Sequence, residues 1–226
     1  MERFARDSDP AVRGFLHRPE TSSGEALVLT HGAGSNCQAP MLQAVAVALA
    51  EAGFTVLRCD LPYRQERPYG PPSPGGSARD REGLRRAVQA LKELNPPGSL
   101  KRMFLGGHSY GGRQASMLAA ADPGLILGLL LLSYPLHPPR KPDQLRTAHF
   151  PQLRTRALFV HGSRDLFGTL EEMRSALALI PATTSLVPIE NAGHDLGFGR
   201  GRTHSSDAQG RWIRPVTAAF QSFIGK

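Results

Sequence analysis

With 226 residues, 40% of them hydrophobic and 20% charged, the chain has the make-up of an ordinary globule and can bury a core without staples. Its net charge of +8 rests on 27 basic against 19 acidic residues, and 23 of the basic ones are arginines scattered along the chain. No block of like charge and no aromatic pattern of a nucleic-acid module accompanies them, so nucleic acid is not an expected partner. Two cysteines, Cys37 and Cys59, exclude a disulfide scaffold and fit no zinc spacing; both are expected to be small buried side chains. The charged N-terminus lacks the profile of a targeting signal, and the longest apolar stretch, residues 125–132, is too short to span a bilayer. A cytoplasmic location is expected.

In chain order, residues 12–17 are predicted as an edge strand. Residues 26–30 form a short apolar strand that runs into the glycine-rich loop His31-Gly32-Ala33-Gly34-Ser35-Asn36. A helix over 40–52 closes at Gly53, and a strand follows over 54–59. Residues 60–76 carry five prolines and are predicted as a loop, because proline removes a donor and fixes φ. An amphipathic helix over 80–94 presents Leu84, Val88 and Leu91 on one face and ends at Pro96-Pro97-Gly98. Then come a strand over 101–105, a helix from Ser109 to about residue 121 and a strand over 125–133, apolar on both faces as in a central parallel strand. A proline-rich loop spans 134–151, with one short helix expected near Gln144. Strands over 157–160 and 186–189 flank a helix over 170–180. A helix over 207–223 closes the chain, with Pro215 making a kink or a late start.

This alternation predicts an α/β fold: one doubly wound, mostly parallel sheet with helices on both faces, in a single domain over 1–226. Ligands of such sheets bind outside the carboxyl ends of the strands, where the irregular loops lie.

One motif carries chemistry. Gly107-His108-Ser109-Tyr110-Gly111 stands between an apolar strand and a helix. Such a turn lifts a serine hydroxyl out of the sheet. A serine needs a neighbouring base, and the base needs an acid to hold its tautomer. Two later strands end in suitable loops, one at Asp165 and one at His194. Other histidines compete for the role of base: His31 and His161 end strands before glycine and are expected to orient loops, His108 should point away from Ser109, and His137, His149 and His204 fall in loops. Glu190 and Asp195 are rival carboxylates less able to reach the far nitrogen of His194, Asp165 could instead cap the next helix, and Asp60 is expected to shape the loop after its own strand.

The four segments His31-Gly32-Ala33-Gly34, Gly107-His108-Ser109-Tyr110-Gly111-Gly112, His161-Gly162-Ser163-Arg164-Asp165 and Gly193-His194 occur in the order and strand context of the α/β-hydrolase superfamily. The chain resembles its dienelactone-hydrolase-like and small serine esterase branch, and a group of short α/β-hydrolase-like proteins, over about residues 10–224. The resemblance implies a nucleophile at Ser109, a general base at His194 and an orienting acid at Asp165. It also implies an oxyanion site from the backbone N–H of Tyr110 together with Ala33 or Gly34. Dienelactone hydrolases proper use a cysteine nucleophile, so Ser109 argues against that activity. The implied reaction is hydrolysis of a small-molecule carboxylic ester or thioester, needing neither metal nor organic cofactor. The His31 loop lacks both the Lys-Ser/Thr ending of a phosphate-binding loop and the dinucleotide spacing.

Tyr63, Arg64, Arg67 and Tyr134, in the proline-rich loops, are expected at a substrate rim, where arginines would attract an acidic substrate. The gap between Ser133 and Phe150 is too short for a large lid domain, which predicts an open site suited to short acyl groups. Two other classes of function stay open at this point: a hydrolase fold kept as an interaction protein, and a small peptidase.

Overall fold

The computed structural model describes residues 1–95, 98–199 and 211–225. Its centre is an eight-stranded sheet. In chain order the strands are β1 (Glu2–Arg6), β2 (Val12–His17), β3 (Glu25–Thr30), β4 (Phe54–Cys59), β5 (Arg102–His108), β6 (Gly128–Leu132), β7 (Ala157–Gly162) and β8 (Thr184–Ile189). They lie side by side as β1-β2-β4-β3-β5-β6-β7-β8. β1 pairs antiparallel with β2, and β2 with β4; every other pairing is parallel.

The helices are α1 (Pro40–Glu51), α2 (Pro62–Glu66), α3 (Ser77–Leu94), α4 (Tyr110–Ala121), α5 (Leu170–Leu177) and α6 (Ile213–Gly225). They cover both faces, and the period-two alternation of the strands divides the core between them. Ala26, Val28, Leu105, Leu129, Leu131 and Phe159 pack with residues of α3, α4 and α5. Their neighbours Leu27, Leu29, Phe104, Leu130, Leu132 and Val160 pack with residues of α1 and α6. Strands buried on both faces are therefore apolar at nearly every position, as β6 is.

Several expectations are corrected. β2 is not an edge strand, because β1 pairs along its outer side. The segment 60–76 is not all loop: Pro62 opens the short helix α2, a position where the missing proline N–H costs nothing. No helix forms near Gln144; a 3-10 turn at Phe150–Gln152 takes its place. The last helix starts at Ile213, with Pro215 in its first turn, while Asp207, Pro96 and Pro97 lie outside the described residues. The connection from β6 to Phe150 carries no helix, so no lid domain is inserted there.

The order of connections places the site. From β3 the chain moves through α1 to β4 on one side; from β4 it returns through α3 to β5 on the other. The loop after β3 and the turn after β5 thus diverge from adjacent strand ends, opening a crevice where such sheets bind ligands.

Candidate active site

Ser109 alone makes the turn between β5 and α4, at φ 51° and ψ −116°. Such a backbone conformation costs a non-glycine residue about 1–3 kcal/mol and persists only where its surroundings dictate it. Here they do: the Ser109 N–H donates to the Leu132 carbonyl at 2.8 Å, and the Arg113 N–H donates to the Ser109 carbonyl at 2.9 Å. The helix start is pressed against two strand ends. A Cβ on Gly111 would lie 2.5 Å from the His31 carbonyl oxygen, and one on Gly107 would lie 2.8 Å from the backbone of Gly111 and Gly112. Glycine is needed at both places for that approach.

The loops after β7 and β8 are laced together. Ser163 N–H donates to the Ile189 carbonyl at 3.0 Å, and Arg164 N–H to the Ala192 carbonyl at 2.9 Å. Asn191 N–H donates to Ser163 Oγ at 2.8 Å. At their crossing a Cβ on Gly162 would sit 2.4 Å from the Ala192 oxygen. This lacing carries Asp165 and His194 to the serine. His194 Nδ1 lies 2.8 Å from Asp165 Oδ2, and His194 Nε2 lies 2.7 Å from Ser109 Oγ. The Asp165 side chain is wholly excluded from solvent, and its Oδ1 accepts the Phe167 N–H at 2.9 Å. A carboxylate accepts only, so Nδ1 carries the imidazole proton and Nε2 is free to accept one. The Phe167 ring stacks on the imidazole, centroids 4.1 Å apart and planes 29° apart. Glu190 and Asp195 are exposed, and Asp195 Oδ1 accepts the Gly197 N–H.

Residues 23–225 match the alpha/beta hydrolase domain family. The chain belongs to that family. Solved structures share its fold at low identity: an alpha-beta serine hydrolase homologue from Coxiella burnetii has a TM-score of 0.74 at 15% identity, over 97% of this chain and 96% of that one. A dienelactone hydrolase from Anabaena variabilis has a TM-score of 0.74 at 20% identity, over 98% of both chains. XC6422 from Xanthomonas campestris, an α/β serine hydrolase without a lid, has a TM-score of 0.69 at 17% identity, over 100% of this chain and 94% of that one.

In this α/β hydrolase the loop after β3 is braced from below. Tyr63 Oη donates to the carbonyls of Ala33 at 2.9 Å and Gly32 at 3.3 Å. Arg64 donates through Nη2 to Ala33 and Gly70 and through Nε to Ser35, at 2.8–2.9 Å. Leu61 N–H donates to His31 Nε2, which fixes the proton on Nδ1, and Nδ1 donates to the Gly32 carbonyl at 2.9 Å. In a planar trans peptide the N–H points opposite to the C=O. The N–H groups of Ala33 and Gly34 therefore face away from Tyr63 and Arg64. The loop lies against the serine: a Cβ on Gly32 would stand 3.4 Å from Ser109 Cβ. Tyr110 N–H opens α4, where no intrahelical acceptor exists. The Tyr110 hydroxyl donates to Asp80 Oδ2 at 2.7 Å, and burial lifts Asp80 above the usual carboxylate range.

Of the four residues expected at a rim, three lie inside. Tyr63, Arg64 and Tyr134 are buried, because α2 turns the first two under the β3 loop and Tyr134 donates to the Arg146 carbonyl at 2.7 Å. Arg67 alone is exposed, and its Nη2 is tied to Ser73 Oγ at 2.8 Å. Phe167 and the brace on the β3 loop have no local signature in the sequence. His108, expected to point away from Ser109, reaches the base loop, with Nε2 2.9 Å from the His194 carbonyl oxygen.

The rival histidines are committed elsewhere. His161 Nε2 contacts the Gly168 carbonyl at 2.7 Å, and burial lowers the pKa of both His161 and His31. His204 lies outside the described residues. Burial, reinforced by the adjacent His194, takes His108 down to about 4. Burial and Arg58 bring His17 to about 4, and burial with Arg113 and Arg81 does the same to His149. An unfolded histidine titrates near 6.5, so between pH 6.5 and 4 the unfolded chain binds more protons than the native one. Stability is expected to be fully present above about pH 6.5 and to fall as pH drops towards 4, by about 1.4 kcal/mol per pH unit for each proton taken up. Thermal melts between pH 8 and 4.5 check the sign; a flat or opposite trend would contradict neutral burial of these rings.

Proposed function

We propose that the protein hydrolyses carboxylic esters or thioesters through Ser109, with His194 as general base and Asp165 as its orienting acid. The observation that carries this reading is the unbroken pair of contacts, 2.7 and 2.8 Å, linking Ser109 Oγ, His194 and Asp165 from three separate strand ends.

Ser109 Oγ attacks the carbonyl carbon while Nε2 takes its proton, and the buried Asp165 carboxylate stabilises the imidazolium. The oxyanion is received by the N–H groups of Tyr110 and of Ala33 or Gly34, at the positive end of α4. Collapse expels the alcohol or thiol, which takes the proton from Nε2 and leaves an acyl-serine. Water then loses a proton to Nε2 and attacks the acyl carbon; as the acyl–oxygen bond breaks, Nε2 returns that proton to Ser109 Oγ, releasing the acid and restoring both residues. The lack of a helical lid in the connection after β6 favours short acyl groups.

A fluorophosphonate probe is expected to attach to Ser109, with the adduct located by peptide mass spectrometry and absent from Ser109→Ala. A folded wild-type chain that takes no label and cleaves no short-chain aryl ester or thioester would leave the interaction-protein reading instead.

The brace on the β3 loop yields a second expectation. Tyr63→Phe and Arg64→Met each remove donors that orient the Ala33 and Gly34 peptides. Each is expected to lower kcat by about tenfold with KM little changed, since a donor that serves only the oxyanion acts in the transition state. Steady-state kinetics on an aryl acetate decide it; a rise in KM at constant kcat would place these residues in substrate binding.

A further inference from the structure

On the helix that starts at the serine, and on the helix and loop beside it, stands a set of arginines that form no ion pair among the described residues. Arg113 is one helical turn beyond Ser109 on α4, about 6 Å along the axis. Its Nε is buried and has no hydrogen-bond acceptor, and neither does the Nε2 of the adjacent, fully buried Gln114. Arg81 donates through Nη1 to Ser77 Oγ and to Gln114 Oε1, so the acceptors in this corner are already taken. Arg146, from the loop after β6, donates to the Pro135 carbonyl at 3.3 Å and to no carboxylate among the described residues. The arginine–carboxylate pairs of the described residues involve Arg6, Arg18, Arg79, Arg85, Arg86 and Arg102. None involves Arg81, Arg113 or Arg146.

The charges are close enough to act on one another. The Arg113 charge, after burial, lowers the pKa of Arg146 and of His149, whose Nε2 lies 2.8 Å from Ser116 Oγ. It also bears on Tyr110, the residue after Ser109, and on Tyr134, just past the end of β6, with whose hydroxyl Arg113 also hydrogen-bonds. Asp80, on which the Arg81 charge acts, is engaged by the Tyr110 hydroxyl and the Tyr63 N–H. Clustered arginines with an orphaned Nε are costly unless something supplies acceptors and negative charge. A planar guanidinium is suited to a carboxylate.

We propose that the Arg113 guanidinium, with Arg146 beside it, receives a carboxylate carried by the substrate, so that the preferred substrates are monoesters or monothioesters of short dicarboxylic acids. This rests on the hydrolase reading for its chemistry but not for its binding site. The anion preference is thereby moved from Arg64 and Arg67, which brace loops, to residues around α4.

The test compares p-nitrophenyl hemiglutarate with the neutral p-nitrophenyl valerate and, without turnover, measures glutarate binding by calorimetry. The wild type is expected to favour the hemiglutarate, chiefly through KM. Arg113→Met is expected to lower kcat/KM for the hemiglutarate by about 10- to 100-fold, to leave the valerate within about threefold, and to abolish glutarate binding. Arg113→Lys should keep part of the preference, and Arg146→Met, a site farther from the elbow, should show the same pattern more weakly if Arg113→Met fails to fold. Equal losses on both esters, or wild-type cleavage of valerate with no preference and no glutarate binding, would overturn the anion site while leaving the hydrolase reading intact. Glutarate binding through Arg113 without cleavage of either ester would uphold the site and end the hydrolase reading. Inorganic phosphate binding at Arg113 more tightly than glutarate would overturn the carboxylate assignment.

Discussion

Alanine at position 109 is expected to reduce kcat/KM for an aryl ester by about 10⁵- to 10⁶-fold, and alanine at position 194 by as much, with the double variant no worse than either single one. Members of a relay are not additive: once the hydroxyl is gone, the imidazole has no proton to take. Asp165→Asn should cost about 10⁴-fold with the fold intact, and the reason is visible in the hydrogen bonds around it. Asp165 Oδ1 accepts the Phe167 N–H at 2.9 Å, while Oδ2 faces His194 Nδ1 at 2.8 Å. An amide placed there keeps its oxygen on Phe167 and turns its NH₂ towards the imidazole. Nδ1 must then accept, so the ring proton moves to Nε2, the atom that should receive the serine proton. Single-turnover kinetics with matched thermal melts measure the effect. If Asp165→Asn retained a tenth or more of wild-type kcat, the carboxylate would not be setting the tautomer.

How far this arrangement is legible in the chain depends on how local its causes are. The turn at Ser109 is legible because three glycines, an apolar strand and a helix occupy consecutive positions. Asp165 and His194 are legible because each closes a strand in a loop that the parallel topology sends to the same edge. β1 is not, because Glu2–Arg6 is largely exposed and shows no apolar alternation; pairing with β2 holds it. α2 is hidden by the prolines around it, and with it the inward turn of Tyr63 and Arg64. Those side chains, read along the chain, stand in an irregular arginine-bearing loop; in three dimensions they sit beneath a loop 30 residues earlier. The stacking of Phe167 on His194 and the reach of His108 across to the base loop also join residues distant in sequence. No periodicity reports such contacts, because they depend on how two loops meet rather than on either loop alone.

That meeting point is where a single methyl group should do most harm away from the reacting side chains. A Cβ on Gly162 would lie 2.4 Å from the Ala192 oxygen and 2.5 Å from the Gly193 oxygen, both backbone atoms of the loop that carries His194. Backbone cannot swing aside as a flexible side chain does, so Gly162→Ala must push the two loops apart. The bonds from Ser163 N–H to Ile189 and from Arg164 N–H to Ala192 resist that shift. Part of the strain will therefore appear as lost stability, about 1–3 kcal/mol, the usual range for overpacking a tight interior contact. The rest moves His194. A displacement of about 1 Å at a proton acceptor costs on the order of 10²-fold in rate. The expected result is a folded Gly162→Ala protein with a lower Tm and kcat reduced about 100-fold, its Ser109 reacting correspondingly slowly with a fluorophosphonate. Gly124→Ala, whose new Cβ would meet nothing within 4 Å, serves as the control and should change neither quantity. If Gly162→Ala lost stability but kept wild-type kcat, the contact would matter to folding alone, and the lacing of the two loops would not be what holds the imidazole on the serine.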